Sequence, residues 1–206
     1  YIMVIVSRGL RAYNYNQFGS SYSFNGESDY IEIDDSFLNE AANAWTFSMW
    51  LKIPDGDDGI GQIVDKMSES YNDFGFNVMK RPSNILWLAF GSYQSSSYIE
   101  VEYFPNQWFH LAFTIDADYN DNRLALYFNG EKYSEIDGPS INESYNDNSA
   151  PLRIGGDPDW GQYFTGIMDD FIFWNEKLDD EQIYLLYTDK SLLTTPSLLR
   201  IEGTST

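Results

Sequence analysis

Residues 122–135 read NRLALYFNGEKYSE. Leu124, Leu126 and Phe128 alternate with Ala125 and Tyr127, the period of an extended strand whose side chains point to opposite faces in turn. Asn129-Gly130 then separates two such runs by two residues that both tolerate positive φ, a strong short-range signal for a β-hairpin. Strands are therefore expected over 122–128 and 131–135. Working outward, the same period recurs at Phe47, Met49 and Leu51, which alternate with Ser48, Trp50 and Lys52. Further short apolar-aromatic runs lie at 21–24, 29–33, 62–66, 75–79, 85–90, 98–103, 108–116, 152–155 and 166–175. Clusters of Gly, Asn, Asp, Ser and Pro separate them, as in a sandwich of many short strands. One helix is expected from about Asp180 to Tyr187. Asp179 serves as its N-cap, Gln182 completes a capping-box pair, and Ile183, Leu186 and Tyr187 share one face. Residues 188–206 read as a C-terminal tail, with a final strand over 197–201.

Composition narrows the function classes. The chain has 206 residues, 12 Lys plus Arg against 32 Asp plus Glu, and a formal charge of −20. Such a surface repels phosphate backbones and anionic lipid heads, so nucleic acid is an unsuitable partner. It attracts cations, and Ca²⁺ is the divalent ion that oxygen ligands serve well. There is no cysteine and one histidine, which leaves no disulfides and almost excludes an N/S zinc site. No stretch approaches the roughly 20 apolar residues of a membrane span. The opening run Ile2–Val6 has no basic segment before it and no small-residue cleavage site after it, unlike an intact signal peptide. Residues 1–7 read instead as an extra edge strand.

Catalysis finds little support. Two carboxylates two apart on a strand share a face and can flank one glycosidic bond. Glu32-Ile33-Asp34 and Glu135-Ile136-Asp137 have that spacing, but position 37 is Phe, and Gly138-Pro139-Ser140 ends the second run. His110 alternates with Phe109 and Leu111 inside a strand, which suits packing better than chemistry. No serine sits in a Gly-x-Ser-x-Gly elbow, and the glycine patterns of phosphate-binding loops are absent.

The order of several segments resembles the LamG-like jelly-roll domains of the concanavalin A-like lectin/glucanase superfamily. The matching residues are Phe24-Asn25-Gly26 with Asp29-Tyr30-Ile31-Glu32-Ile33, then 45–52 (WTFSMWLK), 108–114 (WFHLAFT) and 124–130 (LALYFNG). They continue through 152–156 (LRIGG) and 166–174 (GIMDDFIFW) to 178–183 (LDDEQI) with Leu186-Tyr187. The resemblance spans residues 8–187. It implies an all-β, two-sheet antiparallel jelly-roll sandwich with one short C-terminal helix, a single domain over 1–206. It also implies a structural Ca²⁺ clip formed by the carbonyls of Asn25 and Gly26 with Asp170, and Asp169 beside it. A second cation position among the loop acids Asp116, Asp118, Asp121, Asp157 and Asp159 has only charge to recommend it.

The fold hosts lectins, adhesion modules, glycosidases and passive structural domains, so function must come from a site. Pyranose recognition needs an aromatic platform with amides and carboxylates beside it. Trp160 is the best-placed platform, with Asp157, Asp159 and Gln162 as hydroxyl contacts and Tyr163 close by. Tyr93 and Tyr71 rank second. Trp45, Trp87, Trp108 and Trp174 read as strand packing, and Trp50 as a residue that lines a concave face. The expectation is a non-enzymatic module binding a glycan or surface polysaccharide, extracellular or at a cell or particle surface, without membrane insertion. The alternative is a structural surface or virion decoration subunit with protein partners, in which Tyr1–Val6 pairs with a neighbour's sheet edge.

Overall fold

A computed structural model describes residues 2–5, 21–33, 44–56, 58–67, 75–91, 96–116, 123–138, 150–174, 176–188 and 198–201. The first strands are β1 (Ile2–Ile5), β2 (Tyr22–Asn25), β3 (Ile31–Ile33), β4 (Ala44–Lys52), β5 (Gly61–Asp65), β6 (Gly75–Arg81) and β7 (Ile85–Gly91). There follow β8 (Ser96–Glu102), β9 (Trp108–Asp116), β10 (Arg123–Phe128), β11 (Glu131–Asp137), β12 (Leu152–Ile154), β13 (Gly156–Asp157) and β14 (Gln162–Tyr163). The chain continues through β15 (Thr165–Trp174), helix α1 (Asp180–Thr188) and β16 (Leu198–Ile201).

The strands form two sheets. Sheet A runs β11-β10-β9-β4-β15-β1-β16, with β2 also paired to β15. Sheet B runs β13-β14-β5-β6-β7-β8, and β12 joins β3 to β5. Described pairings are antiparallel apart from β1 with β16 and β14 with β5. This is the expected jelly-roll sandwich with its short C-terminal helix. β1 pairs with β15 on one side and β16 on the other, so it lies inside the sheet and not at its edge.

The core lies between the sheets and follows the alternation. Trp45, Phe47, Met49 and Leu51 of β4 all enter it. Register aligns Phe113, Phe47 and Phe173 across three strands. Their rings meet at 4.8 and 4.7 Å, and Phe76 of sheet B reaches Phe47 at 4.8 Å. Tilted and offset contacts of this kind suit the ring quadrupoles.

The opposite face of sheet A is covered as well. Helix α1 lays Ile183 and Leu186 over Ala112, Ala125, Tyr127, Ile172 and Trp174. Ala112 and Ala125 are small enough to let the helix approach. The capping box forms in both directions: Asp179 N donates to Gln182 Oε1, and Gln182 N donates to Asp179 Oδ1, both at 2.8 Å. Tyr127 donates its hydroxyl to Asp180 Oδ1 at 2.7 Å, beside the Lys132–Asp180 ion pair. Trp50 stacks on Tyr187 at 5.5 Å, so it lies under the helix and lines no concave face.

The Asn129-Gly130 turn has φ values of +52° and +82°. A Cβ at Gly130 would stand 2.8 Å from Tyr187 Cβ. Gly130→Ala therefore meets left-handed strain, at about 1–2 kcal/mol, and a collision with the helix. The expected loss of a few kcal/mol is read from denaturant midpoints. An unchanged midpoint would show that the helix is not seated on this turn.

Candidate functional site

The Trp160 region is a hairpin. β13 and β14 pair Gly156 with Tyr163 and Asp157 with Gln162, and residues 158–161 form the tip. Gly161 has φ +63°, and Trp160 is 59% exposed. Tyr163 lies 6.4 Å from the exposed ring of Tyr30, and Gln162 Oε1 accepts from Gln62 Nε2 at 3.3 Å.

Asp157 and Asp159 have other work at this hairpin. Arg153 Nη1 pairs with Asp157 Oδ1 at 2.9 Å and Nη2 with Asp159 Oδ2 at 2.6 Å. Its Nε reaches Glu32 Oε2 at 3.2 Å. Asp157 Oδ1 also accepts the Asp159 backbone N–H at 3.0 Å. One guanidinium thus ties β3, β12 and the hairpin together. Burial opposes its charge, but Asp159, Glu32 and Asp157 outweigh burial and raise its pKa. Asp65, opposite Arg153 in the ladder, is pushed up to about 7 by burial and by the Asp157 charge. The Met67 backbone N–H, Arg153 and Lys66 act against that rise.

The residues expected to clip a calcium do not gather. Asn25 Oδ1 accepts the backbone N–H groups of Glu27, Ser28 and Asp29 at 2.8 to 3.1 Å. Gly26, at φ +74°, closes the turn against Thr165. Asp169 and Asp170 form a buried irregularity in β15, where Asp170 has φ +47° and Asp169 Oδ1 accepts its N–H. Register places Thr165 opposite Asn25, five residues from Asp170. At about 3.3 Å per residue, that is roughly 16 Å, too far for one ion with ligands at about 2.4 Å. Among the described residues no three acids or histidines gather to hold a metal. Tyr93, Tyr71, Asp34, Asp118 and Asp121 lie outside the described residues.

His110 is fully buried, and its Nε2 lies 2.8 Å from Ser48 Oγ. Trp50 packs against its ring at 5.4 Å, and Tyr187 at 5.9 Å. This pair is sealed beneath the helix and has no access to a substrate. Of the carboxylate pairs, Glu32 is held by Arg153, Glu135 by Lys132 and Asp137 by Arg123.

The outer face of sheet B is buried at Gln62, Asp65, Asn77, Met79 and Ala89, half-buried at Trp87 and exposed at Tyr98 and Glu100. In β6 and β7, Phe76, Val78, Leu86, Leu88 and Phe90 enter the core. Their alternates point away from it, and among the described elements no helix covers them. Register aligns two rows on this outer face of sheet B. One row is Arg153, Asp65, Asn77, Ala89 and Tyr98. The other is Tyr163, Gln62, Met79, Trp87 and Glu100. Trp87 is half-buried, with Tyr98 edge-on at 5.2 Å and the Arg81 guanidinium 4.3 Å from its ring centroid. Gln62 Oε1, Asn77 Oδ1 and Trp87 Nε1 are buried, with no hydrogen-bond partner among the described residues.

Trp87 was expected in strand packing, and the register turns it outward. The available signal was Gln62, Asn77 and Arg81 within otherwise apolar runs, at positions that alternate with core residues.

Comparison with solved structures supports the same architecture. A heptameric SAP-like pentraxin from Limulus polyphemus has a TM-score of 0.58 at 19% identity, covering 80% of each chain. A botulinum neurotoxin DC binding domain in complex with SialylT has a TM-score of 0.64 at 17% identity, and another structure of that domain holds rat synaptotagmin II. The match takes in 91% of this chain but 46% of the toxin chain, so this protein spans about half the toxin domain's length. The CBM40 of a Ruminococcus gnavus IT-sialidase, bound to α2,3-sialyllactose, has a TM-score of 0.60 at 12% identity over 81% of this chain and 97% of that one. At these identities the likeness concerns fold. The Laminin_G_3 family model matches residues 25–184, most of the chain, and the protein belongs to that family of the concanavalin A-like lectin/glucanase superfamily.

Proposed function

We propose that the protein is a non-enzymatic module that binds glycans or related surface polymers, and that it works at an extracellular, cell or particle surface. The observation that carries this reading is the outer face of sheet B. There the half-buried Trp87 ring meets the exposed Tyr98 ring and the Arg81 guanidinium, beside the exposed Glu100. An aromatic ring takes the apolar face of a pyranose, and exposed polar side chains at its rim fix the hydroxyls. Structures of the same fold with SialylT and with sialyllactose lend support by analogy. Trp160, at the tip of the adjoining hairpin, extends the aromatic surface toward a longer polymer. The ion pairs held by Glu32, Glu135 and Asp137 and the sealed His110 favour binding over hydrolysis.

Glycan-array screening followed by titration tests the reading. Trp87→Ala is expected to weaken binding by about tenfold or more, from loss of roughly 1.4 kcal/mol or more, with a lowered but still cooperative melting transition that shows the variant folds. Undiminished binding would remove the face as the site.

The second reading is a structural surface subunit with protein partners. It is favoured by the exposed rings of Trp160 and Tyr30 with Ile60, at 59%, 40% and 42% exposure around the hairpin. Oligomers in solution with no glycan bound would select it.

A further inference from the structure

We infer that the rim of the sandwich around Tyr30, Ile60 and Trp160 docks a basic, arginine-bearing segment of a partner protein. This rests on the second reading above, a surface subunit with protein partners, and gives that partner its chemistry. The ladders bring the rim together. Lys52 stands opposite Trp108 and Ile167, and Asn25 opposite Thr165, so the chain leaves β2 and β4 and enters β9 and β15 at one end of sheet A. Sheet B turns at that end too: Gly61 stands opposite Lys80, Arg81 opposite Ile85, Ile85 opposite Glu102, and Tyr163 pairs with Gln62. Asn106 N donates to Ile53 O at 2.7 Å across the same rim. Trp160, Ile60 and Tyr30 are exposed there, gathered around the β13–β14 hairpin through Tyr163. Phe104, 73% exposed, stands farther along.

Charge chooses the occupant. The connecting stretches 26–30, 53–60, 82–84, 103–107 and 158–161 contain no lysine, arginine or histidine. Glu27, Asp29, Asp55 and Asp58 are exposed in them, and none forms an ion pair among the described residues. Asp159 is held by Arg153, but that guanidinium also faces Glu32 and Asp157, so acid remains in excess. The basic residues bordering the rim turn away from it. Arg81 lies over the Trp87 ring, and Lys52, next to the core residue Leu51, points to the outer face of sheet A. Each apolar group has a carboxylate close in sequence: Asp29 before Tyr30, Asp58 two residues before Ile60, Asp159 before Trp160. A guanidinium answers both parts at once, because it stacks on an aromatic face and pairs with a carboxylate through a planar fork. The acids sit on separate loops, and among the described residues no three gather to hold a metal ion. Several cations spaced along a chain fit them better than one point charge.

The test is calorimetric titration of the full chain, at about 0.15 M salt, with a nona-arginine peptide, a nona-lysine peptide and a glucosamine oligomer. The arginine peptide is expected to bind about threefold or more tightly than the lysine peptide, since only arginine both stacks and forks. Trp160→Ala is expected to weaken it by about tenfold, and Asp58→Asn by about threefold. Both positions are exposed, and melting curves establish that the variants fold. Glu181→Gln removes one charge at the start of α1, near the opposite end of β4, and is expected to leave the affinity unchanged. Equal losses in Glu181→Gln and Asp58→Asn, or none in Trp160→Ala, would reduce the binding to diffuse attraction by a chain of charge −20 and overturn the proposal. Tighter binding of the glucosamine oligomer would overturn the protein partner in favour of a cationic sugar. No binding of either peptide would overturn the docking rim, while oligomers of the chain in solution would leave the surface-subunit reading standing.

Discussion

Arg153→Met is expected to lower folding stability by about 3–5 kcal/mol near pH 8. The side chain is 15% exposed and contacts Glu32, Asp157 and Asp159 at once. Asp157 is 3% exposed, so removing its counter-charge strands a buried carboxylate. That is the costly way to break an ion pair, because the desolvation remains and the attraction is gone. Methionine keeps most of the volume, which separates the charge effect from a cavity effect. At about 2–4 °C per kcal/mol for a chain of this size, the melting midpoint should fall by roughly 10 °C near pH 8. A fall of only about 1 °C would show that the hairpin carrying Trp160 is held by its backbone pairing and not by this guanidinium.

The parts of the fold that were legible in the sequence are those fixed by local chemistry. Asn129-Gly130 sets a two-residue turn wherever it occurs between alternating runs, and the hairpin formed there. Asp179 and Gln182 are three residues apart, so their reciprocal cap needed no tertiary information. The face of a strand is another matter. In Ile85–Gly91 apolar residues occupy both phases, so Trp87 and Leu88 read alike until the partner sheet is known. Only the register of β6, β7 and β8 shows that Leu88 faces sheet A and Trp87 does not. Arg153 escaped for a related reason. Its contacts with Asp157 and Asp159 are local, but Glu32 is 121 residues away and the burial of Asp157 belongs to the assembled sheet. Loop acids are ordinarily solvated, which is why these two looked available for sugar hydroxyls. The implied calcium clip needs Asn25 beside Asp170, and the β2–β15 ladder sets Asn25 opposite Thr165 instead.

Asp65→Asn is expected to stabilise the protein near pH 8 and to change little near pH 4. Burial, then the Asp157 charge, raise the Asp65 carboxyl from 3.8 to about 7. Between those values the folded chain holds a proton that the unfolded chain has released. Stability contributed by that proton is complete below about pH 4, declines as pH rises through the interval, and is gone above about pH 7. The span of about three pH units, at 1.36 kcal/mol each, sets an order of 4 kcal/mol. Asparagine is neutral throughout, so it keeps the low-pH packing and avoids the high-pH charge. Its Oδ1 can still accept the Met67 N–H that Asp65 Oδ1 receives at 3.4 Å. Unfolding midpoints measured from about pH 4 to pH 8 should decline for the native chain beyond whatever slope the variant shows. Parallel curves would mean that Asp65 is ionised across the whole range, with Arg153 and Lys66 prevailing over burial and Asp157.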